Sequence, residues 1–173
     1  MTAYLALAFS VGLLAILDTW IFVGPLDGTM FTDLVWISFI AWGCHFHSGG
    51  GVGGATTALV GMVFGGVVGM AAVMAAGGAL AGLGVMAAPI AVGVGAFIIC
   101  LASAISLLKT IPASVYGFAA IAGVILLRGD TPMNAMIAMA GAVAIGAAFG
   151  FVSEKLANAM TKSEAVPAVE AAS

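Results

Sequence analysis

Both histidines of the chain stand in one short stretch, residues 41–54, beside a cysteine and a run of glycines. Imidazole and thiolate groups suit zinc, copper or nickel, so Cys44, His45 and His47 are one predicted metal site. His45 and His47 are two positions apart, which places them on different faces of a helix. They converge on one metal ion only where the backbone is unwound.

Two other interpretations of the same histidines stay open. In the first, the imidazoles cap the end of a helix and hydrogen-bond the carbonyls that its last turn leaves free. In the second, a histidine lines a solute path and changes charge near about pH 6–7. The pore or solute-binding residues predicted in this stretch are His45, Phe46, His47, Ser48, Gly49 and Gly50.

A second polar break follows at residues 109–117, where a proline interrupts an apolar pattern. A proline frees backbone carbonyls, and neighbouring hydroxyls could face a cavity shared with residues 44–50. The alternative is an ordinary helix start beside a lysine, Lys109, that extends to the membrane surface. The predicted second half of the site comprises Thr110, Pro112, Ser114 and Tyr116.

Asp18 lies inside an apolar run. Ionisable residues within membrane spans are rare and often mark pathways or relays. Asp18 is therefore a candidate third member of the solute site, with Lys109, Arg128 or a histidine as its expected partner. The alternative is a solvated helix end near the outer interface.

Composition places these residues in a membrane protein. Of 173 residues, 64% are hydrophobic and only 6% are charged, whereas soluble domains carry about 25% charged residues. The apolar runs are continuous rather than alternating, which favours helices over a transmembrane barrel. We therefore predict an all-α integral membrane protein surrounded by lipid.

Composition also bounds the function. The net charge of −3 disfavours nucleic acid as a partner, and Cys44 and Cys100 are predicted to be reduced. No recognisable catalytic set, phosphate loop or zinc-hydrolase spacing is present in the sequence. We expect no enzymatic activity and no cofactor.

Six apolar segments divide the chain, and the second and fifth are short for a span of about 20 residues. They are predicted as Ala3–Val23, Phe31–His47, Ala55–Ala76, Val85–Leu108, Ala113–Leu127 and Met133–Ala159. All six belong to one transmembrane domain, residues 1–160. Residues 161–173 are predicted to be a disordered cytoplasmic tail.

The order long, short, long occurs twice, which is the pattern of an inverted 3+3 repeat with a site between its two broken segments. Small residues recur every four positions in the third and sixth segments, and such stripes let helices approach closely. The alternative is that glycine- and alanine-rich helices look alike by composition. The predicted helix-packing glycines are Gly61, Gly65, Gly69, Gly146 and Gly150.

Orientation follows from the lysines. With the N-terminus inside, Lys109, Lys155 and Lys162 fall in the cytoplasm and only Arg128 falls outside, as the positive-inside rule prefers. A single chain of this size makes a thin bundle. We therefore expect a homo-oligomer or a subunit of a larger membrane complex.

Four stretches resemble a bacterial inner-membrane family, the domain of unknown function 1097. They are residues 36–54, 94–103, 106–117 and 144–154. The resemblance implies a multi-pass protein of the bacterial inner membrane and implies no reaction. The family pattern usually has aromatic, small or apolar residues at the positions of His45 and His47, and often a lysine where Val52 or Gly53 stands. The resemblance thus implies that the histidines are a specialisation of this chain or its close relatives.

Three classes of function remain. The first is a channel or passive transporter for a small, uncharged solute, working as a homo-oligomer. The second is a structural or accessory subunit of a larger membrane complex. The third is a metal-ion transporter or metal-binding membrane protein that uses Cys44, His45 and His47.

Overall fold

The computed structural model describes residues 1–161, and that part of the chain is all-helical, with no strand. Its six α-helices are α1 (Ala3–Val23), α2 (Val35–His47), α3 (Gly51–Gly77), α4 (Ala87–Ala102), α5 (Ile111–Arg128) and α6 (Pro132–Met160). Five of the helices are long and apolar enough to cross a membrane, α4 being counted together with the 3₁₀ turn Ala81–Met86 before it. The fold class is therefore the predicted one, a multi-pass helical membrane protein.

Four of the predicted segments need correction, and one of them, α3, begins at Gly51 rather than Ala55. α5 has 18 residues and is long enough to span, so only α2, with 13 residues, is short. α4 ends at Ala102 rather than Leu108, because Ser103 turns its hydroxyl back to the Cys100 carbonyl at 2.7 Å and so competes with the helical backbone bonds. Of the predicted disordered tail, residues 161–173, all but Thr161 lie outside the described residues.

α2 also begins later than predicted, at Val35 rather than Phe31. Thr29 and Thr32 each donate a hydroxyl hydrogen bond to a backbone carbonyl three residues earlier. Asp33 then adopts a φ of 61°, which is outside the helical region. Residues 24–34 are consequently a series of turns that leads into α2.

Each half of the chain packs against the other half through corresponding helix pairs. α3 packs against α5 as α6 packs against α2, and α4 packs against α3 as α1 packs against α6. α3 and α6 also pack against each other at the centre. This is the arrangement expected when α1–α3 and α4–α6 form an inverted repeat.

The predicted packing glycines lie at these contacts. A Cβ on Gly65 would collide with the Ser114 carbonyl oxygen, and a Cβ on Gly146 would collide with the Ser38 carbonyl oxygen. The other three glycines also have close neighbours. A Cβ on Gly61 would lie 2.6 Å from an atom of Ala113, and a Cβ on Gly69 would lie 2.6 Å from Ile121. A Cβ on Gly150 would lie 2.8 Å from His45. The small stripes thus bring α3 onto α5 and α6 onto α2 at backbone distance.

Successive helices alternate in direction, which gives the bundle two ends. The near end holds the N-terminus, residues 48–50 and the end of α6, since Ala3, Gly49 and Asn158 line one depression there. The far end holds residues 24–34 and 129–131, since Arg128 donates hydrogen bonds to the carbonyls of Met30 and Thr32.

Candidate functional site

The first polar cluster joins α2, α3 and α6 at the near end. Glu154 Oε2 accepts a hydrogen bond from the Gly51 backbone N–H at 2.6 Å and lies 3.0 Å from His45 Nε2. A carboxylate at this position is favoured by the free N–H groups and the dipole at the start of α3. We call Glu154, His45 and Gly51 the near-end clasp.

The imidazole of the clasp is completely buried, whereas the Glu154 side chain is 31% exposed. If Nε2 carries the hydrogen that Glu154 accepts, Nδ1 is an acceptor. Nδ1 has no hydrogen-bond partner within the described chain. The role of His45 in the clasp is therefore to tie α2 to α6 through Glu154.

The presence of consecutive glycines between α2 and α3 is explained by their backbone conformation. Gly49, Gly50 and Gly51 have φ values of 93°, 70° and 60°, and glycine enters this region without the penalty of a Cβ. These three residues reverse the chain between α2 and α3. The reversal is tight, since a Cβ on Gly54 would lie 2.5 Å from the His45 carbonyl oxygen.

The second polar cluster joins α1 and α2 nearer the far end. Asp18 is completely buried, and its Oδ1 accepts a hydrogen bond from Ser38 Oγ at 3.0 Å. Asp18 Oδ2 has no hydrogen-bond partner among the described residues. Asp18 is thus not a solvated helix end, and its partner is Ser38 rather than Lys109, Arg128 or a histidine.

Arg128, one of the expected partners of Asp18, is committed elsewhere. Besides its bonds to the carbonyls of residues 24–34, it pairs with Asp130 at 3.1 Å. It thereby holds the far-end turns against the end of α5. The buried carboxyl gains no charge compensation from it.

A third cluster lies between the other two. Ser10 Oγ donates to the Ser153 carbonyl at 2.7 Å, and Trp42 Nε1 donates to Ser153 Oγ at 3.0 Å. Ser10 and Ser153 are fully buried and Trp42 is almost so. This cluster ties α1, α2 and α6 together, and its Ser153 directly precedes Glu154 of the clasp along α6.

These clusters follow one another along the α1/α2/α6 interface. The buried residues of α1 stand one turn apart and give the order Ala6, Ser10, Leu14, Asp18, Phe22. A depression of about 350 Å³ opens at the near end and includes Glu154, and one of about 180 Å³ opens at the far end beside Phe22. We call the clasp, the Ser10–Ser153–Trp42 cluster and the Asp18–Ser38 pair the polar row. Leu14 interrupts it between Ser10 and Asp18, and Phe22 lies between Asp18 and the far-end depression.

The equivalent interface of the second half is apolar. Gly65 of α3 corresponds to Gly146 of α6. The same shift along the chain aligns α1 with α4, so Ser10 corresponds to Ala91 and Asp18 corresponds to Ile99. Ala91 instead lines an apolar cavity of about 480 Å³ between α3 and α4. The two halves thus share a packing pattern and differ in chemistry.

The sequence-predicted junction of residues 44–50 with 110–117 is only partly assembled. The His47 and Tyr116 rings meet edge to face with centroids 6.3 Å apart. His45, however, faces Glu154, and Asp18 lies farther along the polar row. Asp18 and the His47–Tyr116 contact are therefore not parts of one cavity in this structure.

The remaining predicted residues are placed as follows. Phe46, Gly49 and Gly50 line the near-end depression, and Ser48 Oγ lies 3.9 Å from Cys44 Sγ. Thr110 and Pro112 form the start of α5, and Thr110 makes no side-chain cap bond there. Ser114 is buried at the contact with Gly65.

The predicted metal site is not assembled. Across residues 1–161, no three or more histidine, cysteine or acidic side chains are grouped so that they could hold a metal ion. Cys44 is beside Ser48, His45 beside Glu154 and His47 beside Tyr116. The short helix α2 continues through all three residues, so the unwinding that convergence required is absent there. Both cysteines are free, as predicted.

Five side chains of the polar row escaped the sequence analysis. They are Ser10, Ser38, Trp42, Ser153 and Glu154. A signal for Glu154 existed, because it is the first acidic residue in the long apolar run of α6. The serines gave no such signal, because a serine within an apolar helix is common at any packing face.

One family profile matches most of the chain. The family described as "Protein of unknown function (DUF1097)" matches residues 8–158. No curated protein and no solved structure matches the chain.

Proposed function

Since the chain belongs to the DUF1097 family of proteins of unknown function, we propose a function from the structure: a membrane channel or passive transporter for a small, uncharged solute. The observation that carries the proposal is the polar row. It extends along one helix interface between a depression at the near end and another at the far end.

The groups of the row suit a neutral solute. Hydroxyls, an indole N–H and a carboxyl can replace the hydrogen bonds that such a solute makes with water, in a site otherwise walled by apolar side chains. Ion pores are commonly built from rings of charged side chains or of backbone carbonyls. Within the described residues, the row offers neither arrangement.

The row is closed in this structure by Leu14 and Phe22, both buried. Passage therefore requires α1 to move relative to α2 and α6. Transporters with inverted repeats open by rocking one bundle against another around a fixed site. Because the two halves differ in chemistry, such a movement would open a polar interface beside α1 but only an apolar interface beside α4.

We place the protein in the bacterial inner membrane with its near end in the cytoplasm. Of the basic residues in the described part of the chain, Lys109 and Lys155 lie toward the near end and Arg128 lies at the far end. The positive-inside rule favours this orientation. A six-helix bundle with many apolar side chains on its outer faces is proposed to work as a homo-oligomer.

The test is a swelling assay on proteoliposomes that contain the full chain. Neutral solutes of increasing size are added outside, and vesicle volume is followed by stopped-flow light scattering. We expect solute uptake faster than in protein-free vesicles, with a size cut-off, and faster uptake still for Phe22→Ala. No uptake above the lipid background for either protein contradicts the proposal.

The second candidate, a subunit of a larger membrane complex, is favoured by the surroundings of α4. Two apolar cavities, of about 480 and 280 Å³, flank this helix and share Ala72 and Ala91. Small apolar grooves of this kind suit a closely packed neighbouring helix. Purification in lipid nanodiscs followed by mass measurement of the intact particle separates the candidates, because other chains in the particle would favour the second.

A further inference from the structure

We propose that Asp18 is a proton-binding site: its carboxyl holds a proton while the polar row is closed and exchanges that proton through the far-end depression. The side chain is fully buried at the contact of α1 with α2. One carboxyl oxygen receives the Ser38 hydroxyl hydrogen at 3.0 Å, and the other is buried without a hydrogen-bond partner in residues 1–161.

No positive charge faces this carboxyl from the helices packed around it. On α1 the other titratable side chain is Tyr4, near the N-terminus. On α2, the Ser38 hydroxyl faces Asp18, and His45 lies two turns away, bonded to Glu154. α6 carries no titratable side chain from Pro132 to Ser153. An ionised carboxylate without a partner is strongly disfavoured in such surroundings, whereas the neutral acid is not.

With Ser38 Oγ as the donor to Oδ1, the two oxygens of the acid have different roles. A hydroxyl donates to the carbonyl-type oxygen of a carboxylic acid, which is Oδ1 here. The unpartnered Oδ2 is then the oxygen that carries the proton. On release the Oδ2–H bond breaks, the proton passes to a water molecule, and the electron pair stays on the carboxylate. Nothing is oxidised or reduced.

The far end is the shorter way to water. Phe22 is the next buried residue on α1, and it lines the far-end depression together with Asp27 and Asp33. Towards the near end, Leu14, the Ser10 cluster and the clasp lie in between. Phe22 is thus the barrier between Asp18 and the far-end depression, whose carboxylates favour an arriving proton.

The consequence for transport rests on the proposed function, but the proton site does not. If solute passes along the polar row, the row must open beside Asp18. The pH on the far side of the membrane then decides whether the Asp18 carboxyl is neutral or charged when the solute passes it. Proton binding itself is measured without solute. A protein that binds the proton and moves no solute keeps this inference and loses the proposed function.

The experiment is infrared difference spectroscopy of the full chain in liposomes, read at the carbonyl stretch of protonated carboxylic acids. At neutral pH we expect a band that is absent in Asp18→Asn. The band shifts in Ser38→Ala, because the hydrogen bond to Oδ1 is lost. It is unchanged in Asp130→Asn, whose carboxyl pairs with Arg128 and does not line the far-end depression. Absence of the band from the wild type, or its persistence in Asp18→Asn, overturns the proposal.

Transfer to heavy water identifies the side from which the proton leaves. Deuteration shifts the same band, so the exchange rate of Asp18 is read directly. We expect Phe22→Ala to speed the exchange by at least an order of magnitude and Leu14→Ala to leave it unchanged. Faster exchange in Leu14→Ala alone would overturn the far-end route. The thermal midpoint of each variant, measured in the same liposomes, excludes global unfolding as the cause.

Discussion

His45 and Glu154 are 109 residues apart in the chain, yet their side chains meet at 3.0 Å and hold three helices together. The same Glu154 oxygen receives the backbone N–H of Gly51. One carboxylate thus fixes the end of α2, the start of α3 and the last turns of α6. His45, which the sequence offered as a metal ligand, a helix cap or a pore residue, is a helix-tying residue in the structure.

Replacing Glu154 by glutamine should destabilise the bundle by about 1–3 kcal/mol, the cost of weakening hydrogen bonds to a charged partner. The amide keeps the shape of the side chain and removes the charge at the start of α3. Thermal unfolding in a mild detergent measures the effect. Asp27→Asn, which neutralises an exposed carboxyl, is the control and should leave the midpoint unchanged. Equal midpoints for both variants would show that the negative charge of Glu154 contributes no stability.

Alanine at Gly65 or Gly146 should separate the helices that cross there. The added Cβ meets a backbone carbonyl oxygen in each case, that of Ser114 or that of Ser38. Backbone cannot move aside as a flexible side chain can, so we expect losses of about 1–3 kcal/mol or more. Gly53→Ala, which adds a Cβ in open space on α3, is the matched control and should be neutral or slightly stabilising. A wild-type midpoint for Gly65→Ala would contradict the close crossing.

Gly49→Ala isolates backbone strain from packing. Nothing lies near the added Cβ, but the φ of 93° is unfavourable for alanine. We expect a loss of about 1–2 kcal/mol from the left-handed conformation alone. Gly43→Ala, which is also free of neighbours but has helical backbone, should not show this loss. The difference between the two unfolding midpoints measures the backbone strain of the chain reversal between α2 and α3.

The two halves supply a matched pair for transport. Ser38 and Ser114 stand at corresponding helix crossings, but only Ser38 bonds a carboxyl of the polar row. We expect Ser38→Ala to change solute uptake in the swelling assay several-fold and Ser114→Ala to leave it near the wild-type rate. Both variants remove one buried hydroxyl, but Ser38→Ala also takes the hydrogen-bond partner from Asp18, so the unfolding midpoints of both are measured to separate lost stability from changed uptake. An equal effect of the two on uptake would move the solute path away from the α1/α2/α6 interface.

Orientation is tested with single cysteines in a variant whose own two cysteines are replaced by alanine. Asp27 at the far end and Asn158 at the near end are both exposed. Asp27→Cys should react with a membrane-impermeant maleimide added to intact cells. Asn158→Cys should react only after the membrane is permeabilised. The reverse pattern would place the near end outside.

The sequence by itself determined the class of this protein. Sparse charge and long apolar runs leave lipid as the main solvent, and in lipid the backbone must satisfy its hydrogen bonds within helices. The spacing of the small residues also located the surfaces where helices approach closely, since a four-residue period is one face of a helix. These are local properties, so they can be counted along the chain.

The tertiary structure alone decided which polar groups meet. Asp18 finds Ser38, and His45 finds Glu154, because α1 and α6 both pack against the short helix α2. No spacing in the sequence encodes these pairs, since their members lie on different helices. The predicted metal site failed for the same reason: neighbours in sequence point to different sides of a helix, and the packing of the other helices chooses the partner on each side.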